Sequence, residues 1–366
     1  QLDPAPESAI TSLFTDDAGV LWIGSYTSGL YRARSPSPLL RRELAPDPLA
    51  HGLANRSVRA IRNDPEALLV GLDSGLLVQR PGQKPEVLEA LRGVSVRAIE
   101  AEPEAALGGG WWLGTDAGLW RLPAAGPLQL IAGSERRRVT GLLRESGQLL
   151  VSTRSGLIAL RLPDLAPQPV PEALREEFLT SLARDRNGRL WLGTNERGIW
   201  LWQGEELRQL SMAEGLAHPS VWSLLAEPDG VWVGSFSGGL HRFSLDGQRQ
   251  RLYAERDGLS SNVVYRILRD GRGRLWLSTN DGLNVLDADG NAVRALRRQD
   301  GLRNHEFNNG AGFRDHEGRL WFGGTDGLDV IEPWRQEPAP RPARAVISAL
   351  RLANQPGSER GLEPTQ

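Results

Sequence analysis

The chain has 366 residues, a formal net charge of −2, 24% charged residues and no cysteine. That balance supplies no basic field for nucleic acid or an anionic membrane, and it rules out disulfides, thiolate metal sites and a thiol nucleophile. No apolar run reaches the ~20 residues that cross a bilayer, and no signal-peptide pattern is visible.

A tetrapeptide recurs along the chain: Leu21-Trp22-Ile23-Gly24, Leu68-Leu69-Val70-Gly71, Trp111-Trp112-Leu113-Gly114, Leu149-Leu150-Val151-Ser152, Leu190-Trp191-Leu192-Gly193, Val231-Trp232-Val233-Gly234, Leu275-Trp276-Leu277-Ser278 and Leu320-Trp321-Phe322-Gly323. A Gly-Leu or Gly-Ile pair follows each copy, from Gly29-Leu30 to Gly327-Leu328. The spacing is about 43 residues, in the range of propeller blades and of some helical arrays. The pattern inside the repeat decides between them. First-strand runs fall at 10–14, 58–61, 96–99, 139–143, 179–183, 221–225, 264–268 and, more weakly, 310–313. Each is followed by a turn, the tetrapeptide strand, a second turn and one or two further short runs. Four short runs joined by Gly, Asp and Asn turns make an antiparallel meander. No stripe at 3.6-residue spacing is long enough for a helix pair.

The expected fold is therefore all-β: a propeller of four-stranded antiparallel blades, with eight repeats counted. Eight blades are favoured, and seven plus an extra repeat is the alternative. The tetrapeptide tryptophans read as packing between blades, because each indole covers about 150–250 Å². The Asp-x-x-Gly segments at 16–19, 185–188, 270–273 and 315–318 read as hairpin turns. Each offers too few oxygens for calcium, which takes six to eight. Residues 1–335 are assigned to the propeller and 336–344 to a Pro-rich linker. Residues 345–366 begin a following domain or supply a closing outer strand. The chain starts with Gln and reads as a piece of a longer protein.

The five histidines, His51, His218, His241, His305 and His316, show no metal-binding spacing. Neither a Walker loop nor a Gly-x-Ser-x-Gly elbow is present. No metal, cofactor or catalytic set is assigned, and this region is read as non-enzymatic. The candidate ligand site is the channel mouth, which is ringed by the starts of the first strands and by the loops joining second to third strands. Aligning the repeats places Arg59, Arg97, Thr140, Thr180, Trp222 and Tyr265 at one equivalent position. Asn55, His218, Asn262, Asn308 and Asn309 come from the loops leading into first strands. Tyr26, Asp116, Arg154, Asn195, Arg197, Phe236, Asn280 and Asp326 come from the second-to-third loops. These positions vary while the packing positions repeat, as a pocket on a repetitive scaffold requires. Two Arg with Trp and Tyr suit an anionic or sugar-like small molecule. Two rivals stay open: a propeller lyase or hydrolase acting on a polysaccharide or lactone and using His218, and a platform for protein partners. A homodimer is left open, and nucleic acid is not expected as a partner.

The stretch Asp185-Arg186-Asn187-Gly188-Arg189-Leu190-Trp191-Leu192-Gly193-Thr194-Asn195-Glu196-Arg197-Gly198-Ile199 resembles the two-component regulator propeller repeat. So does Asp257-Gly258-Leu259-Ser260-Ser261-Asn262-Val263-Val264, and the segment from Glu306 to Leu328 is similar to that family's terminal repeat. The resemblance implies the periplasmic sensor region of a membrane-bound signalling protein, with a histidine kinase or diguanylate cyclase output. It also implies a small β-sandwich beginning near Ala345, a portion of chain upstream of the first repeat, and seven blades per propeller rather than eight.

Overall fold

The computed structural model describes residues 9–335 apart from 17–19, 35–36, 42–45, 104–107, 146 and 292, together with the short pairs 351–352 and 355–356. Contacts divide the chain into two units, Pro36–Gln336 and Gln1–Ser35 with Glu337–Gln366.

The larger unit is a ring of seven meander sheets. Blade one pairs Val58–Asp64, Ala67–Leu72, Gly75–Gln79 and Glu86–Val87 in order from the centre outward. Blade two runs from Val96–Ala101 to Gln129–Leu130, blade four from Leu179–Arg184 to Glu206–Leu210, blade five from Val221–Glu227 to Arg249–Tyr253, and blade six from Val264–Arg269 to Val293–Leu296. Blade three has three strands from Val139–Glu145 to Gly156–Arg161, edged by a bridge between Leu160 and Pro167. Blade seven has three, Phe307–Arg314, Leu320–Gly324 and Gly327–Ile331. Short 3-10 turns link several blades to the next, and their Leu91 and Leu174 are fully buried plugs.

Among the described residues, seven apolar clusters each span one seam between adjacent blades. Trp191 of blade four packs with Val221 and Phe243 of blade five, Trp276 of blade six with Phe307 and Phe322 of blade seven, and Trp321 of blade seven with Val58 and Ile61 of blade one. That last seam closes the circle, and Asn63 reinforces it by donating to Asp315 at 3.0 Å. The outer edge of blade seven comes from the other end of the unit. Leu40 bridges Ile331, Arg41 N–H donates to the Val330 carbonyl at 2.9 Å, and Glu332 N–H donates to the Leu39 carbonyl at 2.8 Å. Early chain thus finishes the last blade, so no open sheet edge is left at the join.

All eight counted repeats form sheets, but the arrangement is seven blades plus a separate repeat. The extra one is the first: Ile10–Thr15, Val20–Ser25 and Gly29–Arg34 make a three-stranded sheet outside the ring unit. The propeller assigned to residues 1–335 accordingly begins at Pro36. The physical reason is the Leu39–Arg41 segment, which occupies the edge of blade seven and commits the chain between repeats one and two to closure. The linker at 336–344 lies outside the described residues. Of 345–366 only Arg351–Leu352 paired with Gln355–Pro356 is described.

The buried turn aspartates hold the tryptophans. Asp185 accepts the Asn187 and Arg189 N–H groups on one oxygen and the Trp191 indole on the other, at 2.9 Å. Asp270 with Trp276 and Asp315 with Trp321 repeat this, with Arg274 and Arg319 adding guanidinium contacts to the same carboxylates. These carboxylates are saturated by protein donors, which agrees with reading the Asp-x-x-Gly segments as turns.

Candidate functional site

Six of the predicted mouth positions share one backbone feature. In every inner strand of blades one to six the register slips by one residue near its start, between Val58 and Ala60, Val96 and Ala98, Val139 and Gly141, Leu179 and Ser181, Val221 and Ser223, and Val264 and Arg266. The skipped residues are Arg59, Arg97, Thr140, Thr180, Trp222 and Tyr265. A bulge frees a side chain from the strand's alternation and re-aims it. Here each one meets its surroundings differently. Thr140 and Thr180 turn to the seams and donate to the Leu179 and Val221 carbonyls of the next blade.

The other four divide the mouth into two arcs. On the charged arc Arg59 makes a bidentate pair with Asp73, both contacts at 2.8 Å, and its third nitrogen donates to Asn308 of blade seven at 3.1 Å. Arg97 pairs with Asp116, whose second oxygen takes Arg138 at 2.8 Å. Arg154 lies over the Phe178 ring at 5.0 Å. Burial works to raise the pKa of Asp73, but the Arg59 pairing and the Ser57 and Ser95 hydroxyls outweigh it and hold the carboxyl below its ordinary range. Arg154 is shifted down by burial and by the neighbouring Arg138 and Arg97 charges, against the pull of Asp116. Three guanidinium groups therefore gather around Asp116, and Arg97 also lies 3.9 Å from Asp73.

On the aromatic arc Trp222 stands between Phe236 and Tyr265, with ring centroids 4.8 and 5.1 Å apart, and His218 lies 5.9 Å from Phe236. Tyr265 hydroxyl donates to Asn280. Its own pKa is pushed up to about 12, by burial first and then by the Glu306 carboxylate, so it stays a donor at physiological pH. His218 accepts the Ser220 N–H on Nδ1 at 3.1 Å.

In blade seven the bulge is larger, with Phe307 opposite Gly324 and Gly312 opposite Phe322. Asn308 bonds the Val58 carbonyl at 2.8 Å, and the Asn309 Oδ1 is sealed without a partner among the described residues. Gly310 adopts φ +77 there; a Cβ on it would stand 3.9 and 4.0 Å from the Arg97 and Arg59 carbonyls. This strand therefore reaches across toward blades one and two.

Five predicted residues spend their side chains elsewhere. Asn55 caps the Ser57 N–H, and Asn262 accepts the Glu255 N–H of a 3-10 turn. Asn195 is half-buried and donates to Glu196. Arg197 lies over Trp200 of the third strand and near Glu177 at 3.4 Å, while Asp326 faces Arg298 at 3.8 Å. Asp73, Arg138 and Phe178 were not anticipated. A signal for Asp73 exists: it stands two residues after its marker Gly71, as Asp116 and Phe236 do after Gly114 and Gly234, and each of these meets the bulged residue of its own blade.

The family model described as the two component regulator propeller matches residues 4–27, 173–196 and 258–281. No curated protein matches the chain in sequence. Among solved structures, the extracellular domain of the hybrid two component system BT3049 of B. thetaiotaomicron is similar with TM-score 0.74 at 21% identity, over 89% of this chain and 45% of that one. The extracellular domain of BT4673 from the same organism gives 0.64 at 20%, over 95% and 48%. Virginiamycin B lyase of Staphylococcus aureus gives 0.61 at 9%, over 76% and 96%. The chain thus spans about half the length of the first two, and likeness at these identities carries the fold alone. The repeat model matching in three places along the eight-repeat pattern shows that the chain carries two-component regulator propeller repeats.

Proposed function

We propose that this chain is the ligand-sensing propeller of a membrane-bound signalling protein, lying outside the cytoplasm, with a small anionic or sugar-like molecule taken at the channel mouth. The observation that carries the reading is the split mouth. Equivalent bulged positions hold paired arginines on one side and a Trp222–Tyr265 stack on the other, within a scaffold whose packing positions repeat. Guanidinium forks suit carboxylate or sulfate-type groups, and aromatic faces suit sugar rings or apolar planes. The adjoining domain and a kinase or cyclase output belong to the same proposal. A ligand would act by favouring one arrangement of the protein over another, through differential affinity alone.

The enzyme reading rests on His218, whose Nδ1 is occupied by a backbone N–H. Nothing at that ring favours turnover over binding.

A thermal-shift screen of neutral sugars, uronic acids and amino acids tests the proposal. A ligand at 100 times its Kd adds roughly 2.7 kcal/mol of stability. Its shift should fall at least tenfold in apparent affinity with Arg97→Ala and with Trp222→Ala. A ligand whose affinity ignores both substitutions would place the site elsewhere. Unchanged signalling by the full-length protein after deletion of this region would remove the sensory role.

A further inference from the structure

The inner strands carry a second irregularity, below the mouth. The residue opposite the tetrapeptide's last position is small in six blades: Ala60, Ala98, Gly141, Ser181, Ser223 and Ala311. The space is tight there, since a Cβ on Gly71 would lie 3.1 Å from that of Ala60. Blade six places Arg266 at this position, opposite Ser278. The next position is Ile or Leu in six blades and Gly312 in blade seven, which faces blade six. A Cβ on Gly312 would stand 2.6 Å from the Arg266 Cγ. A large residue in a small place and a small residue in a large one are complementary, and together they thread an arginine stem through the seam between blades six and seven.

The head group reached by that stem lacks partners. Arg266 Nε is sealed and has no acceptor, and among the described residues no hydrogen bond or ion pair is made by this guanidinium. The carboxylate whose field reaches it is Glu100, on the inner strand of blade two. Blades two and six are not neighbours, so that field crosses the bore of the ring. Glu100 is itself committed to Arg62 at 2.7 Å and to the Ala101 N–H at 3.1 Å. Arg62 also pairs with Asp64 and lies over the Phe313 ring of blade seven at 5.0 Å. Burial shifts Arg266 down and Glu100 up, as expected where both charges are poorly solvated. Arg266 is half-buried as a whole, so its Nε is desolvated without an acceptor while its terminal nitrogens keep contact with solvent, and a buried donor left unpaired is costly.

We propose that the bore of the ring holds an oxyanion, of carboxylate or phosphate type, against the Arg266 guanidinium. The site is separate from the mouth and does not depend on the ligand reading above. The anion is a free ion or the charged end of a molecule that also touches the mouth. Both present the same oxygens to a planar guanidinium fork.

Isothermal titration of the whole chain with inorganic phosphate and with acetate, at constant ionic strength in chloride, tests this. Saturable binding of at least one anion is expected, weakened tenfold or more by Arg266→Met, which keeps the stem that fills the seam. In anion-poor buffer Arg266→Met should melt no lower than the parent, because it removes a donor buried without an acceptor. Glu100→Gln, which withdraws the competing carboxylate, should tighten binding several-fold and gives an independent readout should Arg266→Met fail to fold. Retention of affinity in Arg97→Ala is expected for a site separate from the mouth, and a loss there equal to that in Arg266→Met would place the anion at the mouth and overturn the proposal. Absence of saturable binding by either anion, or affinity unchanged in both Arg266→Met and Glu100→Gln, overturns the proposal.

Discussion

The sheet of residues 10–34 and the blades of the ring are built from one repeat, and their side chains meet opposite fates. Leu13, opposite Ile23, corresponds to Ile61, opposite Val70. Leu13 is 63% exposed and Ile61 5%. Leu30 is 68% exposed where its counterpart Leu76 is fully buried, and Ile10 is 54% exposed where Val58 is fully buried. Strand, turn and even the bond from Trp22 to Asp16 form in both places. The large side chains of that sheet stay exposed, whereas those of each ring blade are buried in clusters shared with the adjacent blade. A repeat therefore specifies its own meander, while burial, and the ~1.5–3 kcal/mol that each large aliphatic side chain gains from it, comes from the seam.

The largest effect should follow from comparing two tryptophans. Trp191→Ala removes a fully buried indole and the donor to one of the two Asp185 carboxylate oxygens, costing about 3–5 kcal/mol in denaturant unfolding. Trp22→Ala should leave the main unfolding transition unmoved; an equal loss would mean that the first sheet unfolds with the ring.

Closure should come next. Leu39→Ala, in the segment that finishes blade seven, should cost about 2–4 kcal/mol. Starting the chain at Pro36 should preserve the main melting temperature, and starting it at Asp47 should lower it. Equal melting of the two shortened chains would show that the Leu39–Arg41 edge contributes nothing.

The turn aspartates give a pH signature of intermediate size. Burial opposes ionisation of Asp270 and Asp315, yet the Trp276 and Trp321 indoles and the Arg274 and Arg319 donors more than offset it, so both carboxyls sit below their ordinary value. A lowered folded-state pKa contributes stability above the unfolded value, near 3.9, that disappears as pH falls through the folded one. Melting temperature should therefore drop on acidification below about pH 4. Asp270→Asn should cost about 1–3 kcal/mol near neutrality and flatten part of that acid limb. A parallel acid limb in the variant would refute the assignment.

The smallest effect belongs to the mouth. Tyr265→Phe removes the hydrogen bond to Asn280 and should cost about 1 kcal/mol or less. Ligand affinity should fall further than stability does if the aromatic arc serves binding.

The meander and its period were readable in the chain because tetrapeptide, turn and Gly-Leu pair are local and recur eight times. The bulged positions from Arg59 to Tyr265 were found by aligning repeats, since equivalent residues of a repeat occupy equivalent places. Their roles were not: Thr140 and Thr180 align with Arg59 and Trp222 but bond to the neighbouring strand. Arg197 and Asp326 sit in the expected loops and point their charges at Glu177 and Arg298. Rotamer choice in a loop follows from which partner the neighbouring chain brings near, and that partner is distant in sequence.

By itself the sequence determined the repeating unit, its strand order and its apolar faces, because backbone hydrogen bonding and alternation act over a few residues. The tertiary structure decided how many units join the ring. Circular closure needs the last seam to meet the first and an edge to be filled. Leu39 and Leu40 meet that need across nearly three hundred residues of chain. It also decided that Arg266 and Gly312, unremarkable in sequence, complement one another across the seam between blades six and seven and leave the Arg266 Nε buried without an acceptor.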